Sequence, residues 1–183
     1  FTCFNSIKKI TRKEFNIWIN LLHKVDNSVL WLIKPHPVAM NNLYSELISQ
    51  GIEKERLIFA EQMQLDDHLS RHACADLFLD TFNFNAATTA NFALSSGLPM
   101  ITLLGKSYSA RIAASILNAC NLNELVTTSY SEYEDLAYEL ATNKEKLRKI
   151  RAKLSNKNKL PFFDSSRFTN ELELIYSNII NAQ

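Results

Sequence analysis

The stretch "LFLDTFNFNAATTANFALSSGLPMITL", residues 77–103, decides the fold. Leu77–Asp80 is a short apolar run that ends on a carboxylate, and Met100–Leu103 is a second such run. Runs this short, without polar alternation, suit strands that are covered on both faces. Between them, Thr88–Ser96 carries a helical pattern opened by hydroxyl residues. The segment therefore reads as a β-α-β unit, whose strands run parallel and whose crossover is right-handed.

The same alternation extends in both directions. Upstream, Phe1–Phe4, Val29–Ile33 and Leu57–Ala60 read as further strands. Phe15, Trp18, Ile19 and Leu22 recur at helical spacing after the capping residue Thr11. Leu43, Leu47 and Ile48 do so before Gly51, which sits where a helix C-cap glycine belongs. Asp66–Cys74 and Tyr108–Cys120 read as helices as well. Beyond residue 125 strands nearly stop, and Tyr130–Ala141, Lys144–Lys153 and Arg167–Ile180 read as helices, the last two separated by a loop around Pro161. The pattern specifies an α/β domain with a doubly wound, Rossmann-like parallel sheet and extra C-terminal helices, spanning residues 1–183 as one unit.

Composition agrees with a globular domain. The chain has 183 residues, 46% hydrophobic and 21% charged, enough for one substantial core. A net charge of +1 offers no electrostatic case for nucleic acid or an anionic membrane as partner. The longest clean apolar run, Val29–Ile33, is too short to span a bilayer, and no signal-peptide pattern opens the chain. Cys3, Cys74 and Cys120 fit reduced thiols in a cytosolic core better than a disulfide framework. His68, His72 and Cys74 lie close together, but without a second ligand cluster a metal site is not expected. The chain opens on Phe1, already in a strand, which suggests a piece of something longer.

In an open parallel sheet, ligands bind beyond the carboxyl ends of the strands. Four loops fall there. "NSIKK" brings Lys9, which either reaches an anion or is simply solvated. "KPHPVAM" holds His36 stiffly between prolines, chiefly as a turn. "AEQMQLDDHLSRH" places His68 in the first turn of a helix, free to stack on a ligand or to pack locally, with Asp66 and Asp67 complementing the helix dipole. The fourth is the opening stretch, where the free N–H groups and hydroxyls of Thr88 and Thr89 either cradle a phosphate or cap the helix. No Walker loop, zinc helix motif or Ser-His-Asp order is present.

Taken in order, "NSVLWLI", "ERLIFAEQM", "ADLFLDTFNFNAATTA", "GLPMITLLGKSYSARIAASIL", "SEYEDLAYEL" and "PFFDSSRFTNELELIY" resemble the C-terminal catalytic lobe of the O-linked N-acetylglucosamine transferase family, including bacterial members that carry tetratricopeptide repeats. The resemblance covers nearly the whole chain. It implies the nucleotide-binding lobe of a two-lobed, GT-B-type glycosyltransferase, inverting and without a required metal or cofactor. The donor would be UDP-N-acetylglucosamine or another UDP-sugar, the acceptors Ser and Thr hydroxyls of proteins, and the location cytoplasmic. Lys9 matches the lysine on the diphosphate and becomes the catalytic candidate. His68 matches the histidine that stacks on uracil, Met63 the position whose backbone reads the uracil edge, and Thr88 and Thr89 the helix-opening pair on the diphosphate.

The departures define a competing expectation. Ser6 stands where the family often has Gln or Asn near the phosphates, shortening that donor. Leu65 occupies the place of a lysine, Ala87 that of a histidine, and Phe92 that of a ribose-binding aspartate, with Asn91 the nearest polar replacement. A non-catalytic binding or scaffold module with a degenerate nucleotide site is the alternative, and a related enzyme using another UDP-hexose is a further one. The resemblance also implies a missing N-terminal catalytic lobe and upstream helical repeats. Residues 164–183, with Leu172, Ile175, Ile179 and Ile180, form a C-terminal helix expected to pack on that lobe, and so to expose apolar surface or pair with another copy in the isolated domain.

Overall fold

In the computed structural model, which describes residues 1–156 and 159–182, the strands form one parallel sheet. They are β1 (Thr2–Cys3), β2 (Leu30–Ile33), β3 (Leu57–Ala60), β4 (Phe78–Leu79), β5 (Met100–Leu103) and β6 (Val126–Thr127). The order is β3-β2-β1-β4-β5-β6. From β1 the chain winds outward one way, and from β4 the other way, so β1 and β4 flank the topological switch point.

The helices are α1 (Arg12–Lys24), α2 (Pro37–Ser49), α3 (Leu65–Ser70), α4 (Thr88–Ser95), α5 (Ile112–Ala119), α6 (Tyr130–Thr142), α7 (Lys144–Ser155) and α8 (Ser165–Asn181). Thr11 opens α1 with a capping box that Glu14 completes. The stiff His36 turn turns out to be the start of α2, with His36 as N-cap and Pro37 in the first turn. Gly51, at φ +80°, follows the α2 terminus in the left-handed region that a side chain resists. Asp66–Cys74 is not one helix: α3 gives way to a 3-10 turn over Arg71–Cys74. Tyr108–Cys120 likewise begins as a 3-10 turn before α5. There Gly105 lies so close to Ala110 that an added Cβ would fall 2.4 Å from the Ala110 Cβ.

The core is built from the sheet and the inner faces of α1, α4, α5 and α6. Trp18, Leu21, Leu22, Leu30, Leu32, Phe78, Leu79, Ile101, Leu117 and Tyr133 are fully buried. Burying each such side chain stabilises the fold by roughly 1.5–3 kcal/mol before entropy is counted. Cys3 and Cys120 are buried free thiols, but Cys74 is exposed rather than in the core.

Helix α8 contributes no buried residue. Phe168, Leu174, Ile175, Tyr176, Ile179 and Ile180 are all exposed on it, while Leu172 is half-buried. Gln183, the last residue of the expected 164–183 helix, lies outside the described residues. No helix among the described residues is long and apolar enough to cross a membrane.

Candidate functional site

The chain leaves β1 through Phe4, Asn5 and Ser6 into a 3-10 turn over Ile7–Lys9, and leaves β4 through Asp80 into a loop that ends at α4. These two exits meet at the switch point. Asn5 is buried between them and donates from Nδ2 to Asp80 Oδ1 (3.1 Å) and to Thr81 Oγ1 (2.8 Å). Its Oδ1 accepts the hydroxyl proton of Thr89. Lys9 reaches across the same gap, donating to the Asn85 carbonyl (3.0 Å) with its Nζ 4.2 Å from the Phe84 ring centroid. Both contacts suit an ammonium. Partial burial lowers the lysine pKa, and the negative charge of Asp80 raises it in return.

Asp80 is fully buried. Its carboxylate accepts from the Thr81 N–H (2.8 Å), the Ala86 N–H (2.7 Å) and the Thr102 hydroxyl (2.7 Å), besides Asn5. Burial pushes its pKa up to about 6, against the downward pull of Thr102, Ala86, Thr81 and Asn5. An acid whose pKa is raised by folding takes up a proton in the native state first. Its contribution to stability is therefore present at low pH and lost as pH rises toward about 6. The Tyr133 hydroxyl donates to the Asp80 carbonyl (3.0 Å), and Glu14 Oε1 accepts from the Phe82 N–H (2.9 Å), so α6 and α1 also hold this loop.

Helix α4 starts at Thr88 with Ala87 as N-cap and no side-chain cap. The N–H groups of its first turn thus receive no side-chain cap, and the helix dipole lies behind them. Thr88 is exposed and Thr89 half-buried. Because Thr89 gives its one hydroxyl proton to Asn5, its oxygen offers only lone pairs to anything above it. Ser6 is exposed and makes no capping bond. Lys9, through Asn85, and Thr89, through Asn5, are thus held at the two strand exits, with Ser6 next to Asn5 and Thr88 next to Thr89 in the chain.

A second cluster lies beside it. Arg71 donates to the carbonyl of Glu61 (2.8 Å) and to Nδ1 of His68, and its guanidinium lies 4.6 Å from the Phe4 ring centroid. With Nδ1 accepting, the His68 proton sits on Nε2 and the ring is neutral. Burial first, then the charges of Arg71 and His72, hold the His68 pKa down to about 4. The His68 ring packs on Phe4 (5.5 Å), His72 (4.9 Å) and Phe92 (5.8 Å). Phe92 thus bridges α4 to His68 where the resemblance leads one to expect an aspartate. Met63 is exposed in the segment between β3 and α3, and Leu65 is exposed at the first position of α3.

Asn5, Asp80, Asn85 and Thr102 were not singled out as site residues by sequence reasoning. The available signal was a carboxylate, Asp80, at the end of an otherwise apolar strand. Elsewhere, a cavity of about 630 Å³ lined by His23, Asp26, Ser28 and Arg56 sits at the amino ends of β2 and β3. Its Arg56 already donates to the carbonyls of Leu22, Val25 and Ser28, which leaves that guanidinium a structural tie. Among the described residues no group of His, Cys, Asp or Glu is arranged to hold a metal ion.

The family model described as glycosyl transferase family 41 matches residues 1–172. The chain is similar to an Arabidopsis thaliana protein named "Probable UDP-N-acetylglucosamine–peptide N-acetylglucosaminyltransferase SEC", with 33% identity over 99% of this chain and 19% of that protein. It is similar to the UDP-N-acetylglucosamine–peptide N-acetylglucosaminyltransferase of Caenorhabditis elegans, with 30% identity over 94% of this chain and 15% of that protein. The chain thus spans under a fifth of the length of either relative. A solved structure of a Thermobaculum terrenum O-GlcNAc transferase variant superposes with a TM-score of 0.87 at 30% identity, covering 96% of this chain and 35% of that one. The model match runs through both strand exits and both clusters, and the chain belongs to glycosyl transferase family 41.

Proposed function

We propose that this chain is the donor-binding lobe of an inverting glycosyltransferase that moves N-acetylglucosamine, or a similar sugar, from its UDP ester to Ser and Thr hydroxyls of proteins. One observation carries the reading: Lys9 and the uncapped N-terminus of α4 converge at the switch point of the sheet. That pairing of a cation with free N–H groups suits a diphosphate. The names of the relatives support the donor and the peptide acceptor. The acceptor hydroxyl attacks the anomeric carbon and loses its proton to solvent, the bond to the diphosphate breaks, and charge develops on the leaving UDP. Lys9 and the α4 N–H groups stabilise that charge. Thr88 and Ser6 add donors at the rim, while His68, neutral and edge-packed, offers a flat ring for the uracil beside the backbone of Met63.

In this reading a second lobe supplies the acceptor groove, with helical repeats upstream, and the complete protein works in the cytoplasm without a required metal or cofactor. The exposed stripe of Phe168, Ile175 and Ile179 on α8 is the surface that lobe would cover. The test is turnover by the complete polypeptide offered UDP-N-acetylglucosamine, UDP-glucose and UDP-galactose with a Ser/Thr-rich peptide mixture. Preferred transfer from UDP-N-acetylglucosamine is expected; preference for another hexose would reassign the donor.

A second reading, a binding module with a degenerate nucleotide site, is favoured by two features. Phe92 fills space beside His68 with an apolar ring, and Thr89 has already given away its proton. Absence of transfer from every donor, in protein that is folded, would favour this reading.

A further inference from the structure

We propose that Asp80 is the positioning residue of the crevice, clamping both ends of the β4–α4 loop and, through Asn5, setting Thr89 and the α4 N-terminus against Lys9. The inference rests on reading the crevice as the diphosphate site. A buried carboxylate is costly, and it persists only where hydrogen bonds replace its water. No arginine or lysine pairs with Asp80 at hydrogen-bond distance among the described residues; amides and hydroxyls satisfy it instead. The charged or titratable groups around it are Lys9 on the β1 exit, Cys3 on β1, Tyr133 on α6 and Glu14 on α1. Burial raises the pKa of both the Cys3 thiol and the Tyr133 phenol, leaving them neutral, and Glu14 is held by Thr11 and the Phe82 N–H.

What the carboxylate holds is specific. Its Oδ1 takes the N–H groups of Thr81 and Ala86, the first and sixth residues of the loop, which draws the excursion into a ring. Inside that ring Thr81 Oγ1 donates to the Phe84 carbonyl (2.7 Å), and Asn85 Nδ2 donates to the Thr81 carbonyl (2.7 Å). The ring closes one residue before Ala87, the N-cap of α4, so it fixes where the first-turn N–H groups point. Lys9 grips the carbonyl of Asn85 while Asp80 grips the N–H of Ala86, so neighbouring residues are held by opposite charges.

The same Oδ1 also orients Asn5. An amide that donates to Asp80 and Thr81 must turn its oxygen the other way, where Thr89 delivers its hydroxyl proton. Asp80 therefore determines which atoms of the α4 N-terminus remain free for an anion: the backbone N–H groups and Thr88, rather than the Thr89 hydroxyl proton. The carboxylate contacts no ligand in this account and acts only through the loop and Asn5.

Asparagine can reproduce this arrangement. Its oxygen would accept at the Oδ1 position, and its NH2 would face Thr102, whose hydroxyl can accept instead of donate. Alanine cannot. The experiment measures affinity for UDP-N-acetylglucosamine and amide hydrogen exchange over residues 81–87, in the complete polypeptide and its variants. Asp80→Ala is expected to weaken binding at least tenfold and to speed exchange at Thr81 and Ala86 at least tenfold. Asp80→Asn is expected to stay within threefold of the parent in both.

Binding by Asp80→Ala within threefold of the parent, or a loss in Asp80→Asn as large as in Asp80→Ala, overturns the inference. The exchange arm needs no ligand. If the parent binds no UDP-sugar, the reading of the crevice fails, while unchanged exchange in Asp80→Ala separately sinks the clamp. Should Asp80→Ala not fold, Thr102→Val, which removes only the donor to Oδ2, is expected to speed exchange over the loop at least threefold. No change there contradicts the proposal.

Discussion

Replacing Lys9 with alanine in the complete polypeptide is expected to lower sugar transfer by about 10²–10³-fold, the usual loss when one donor to developing charge is removed. The ammonium stands at the switch point with the Asn85 carbonyl and the Phe84 ring as its protein contacts. Neither contact needs the charge for folding, since the half-buried side chain is tied to the loop by one hydrogen bond. Losing one such bond costs about 1 kcal/mol. The variant should therefore melt within a few degrees of the parent, as a ΔΔG near 1 kcal/mol moves Tm by only about 2–4 °C in a domain of this size. A large kinetic loss with a small thermal one is the signature of a group that acts on the ligand. If kcat falls less than threefold, the leaving-group role assigned to Lys9 is wrong.

The largest effect on stability is expected at Trp18. Trp18→Ala should cost about 3–5 kcal/mol, read from the midpoint of urea unfolding, because the cavity left by a fully buried indole relaxes only in part. Trp18 lies on α1, which packs against α6 through the buried Tyr133 and is tied to it outside by Lys24 and Glu134 (2.7 Å). Glu14, one turn before Trp18 on the same helix face, accepts from the Phe82 N–H in the β4–α4 loop. The core under α1 and the proposed diphosphate site therefore share a helix. At temperatures where Trp18→Ala remains folded, faster amide exchange at Phe82 is expected to accompany the lost stability. A cost below 1 kcal/mol would mean that the α1 face is not the packed centre described here.

Much of this architecture was legible in the sequence, for physical reasons that also explain the misses. Met100–Leu103 was found to the residue because a strand buried on both faces leaves an apolar run, and Leu57–Ala60 because its run is apolar too, although it is an edge strand with Ile58 exposed. Strand β6 was missed because Val126–Thr127 is two residues long and half of it is polar. Thr11 announced α1 as a capping residue, whereas His36 and Pro37 looked like a rigid turn when they are the N-cap and first residue of α2. The α3 helix ends at Ser70, just before Arg71, whose side chain turns back to the Glu61 carbonyl; no local pattern encodes that reach.

The crevice shows the same division. Lys9, Thr88 and Thr89 could be placed at one edge of the sheet because they follow strands in sequence. The network beneath them could not. Asn5 meets Asp80 across 75 positions and Thr89 across 84, and such pairings appear only when the sheet brings β1 and β4 side by side. Phe92 was noted as a departure, but that it packs on His68 rather than standing open is a fact of packing.

The most direct test of the central claim is a calorimetric titration of UDP-N-acetylglucosamine into this chain, with Lys9→Ala as the control. Saturable one-site binding, at least tenfold weaker in Lys9→Ala with Tm little changed, is the result predicted for a diphosphate held between Lys9 and the α4 N-terminus. Folded protein that shows no saturable binding at millimolar UDP-N-acetylglucosamine, or equal binding by the Lys9 variant, would contradict it.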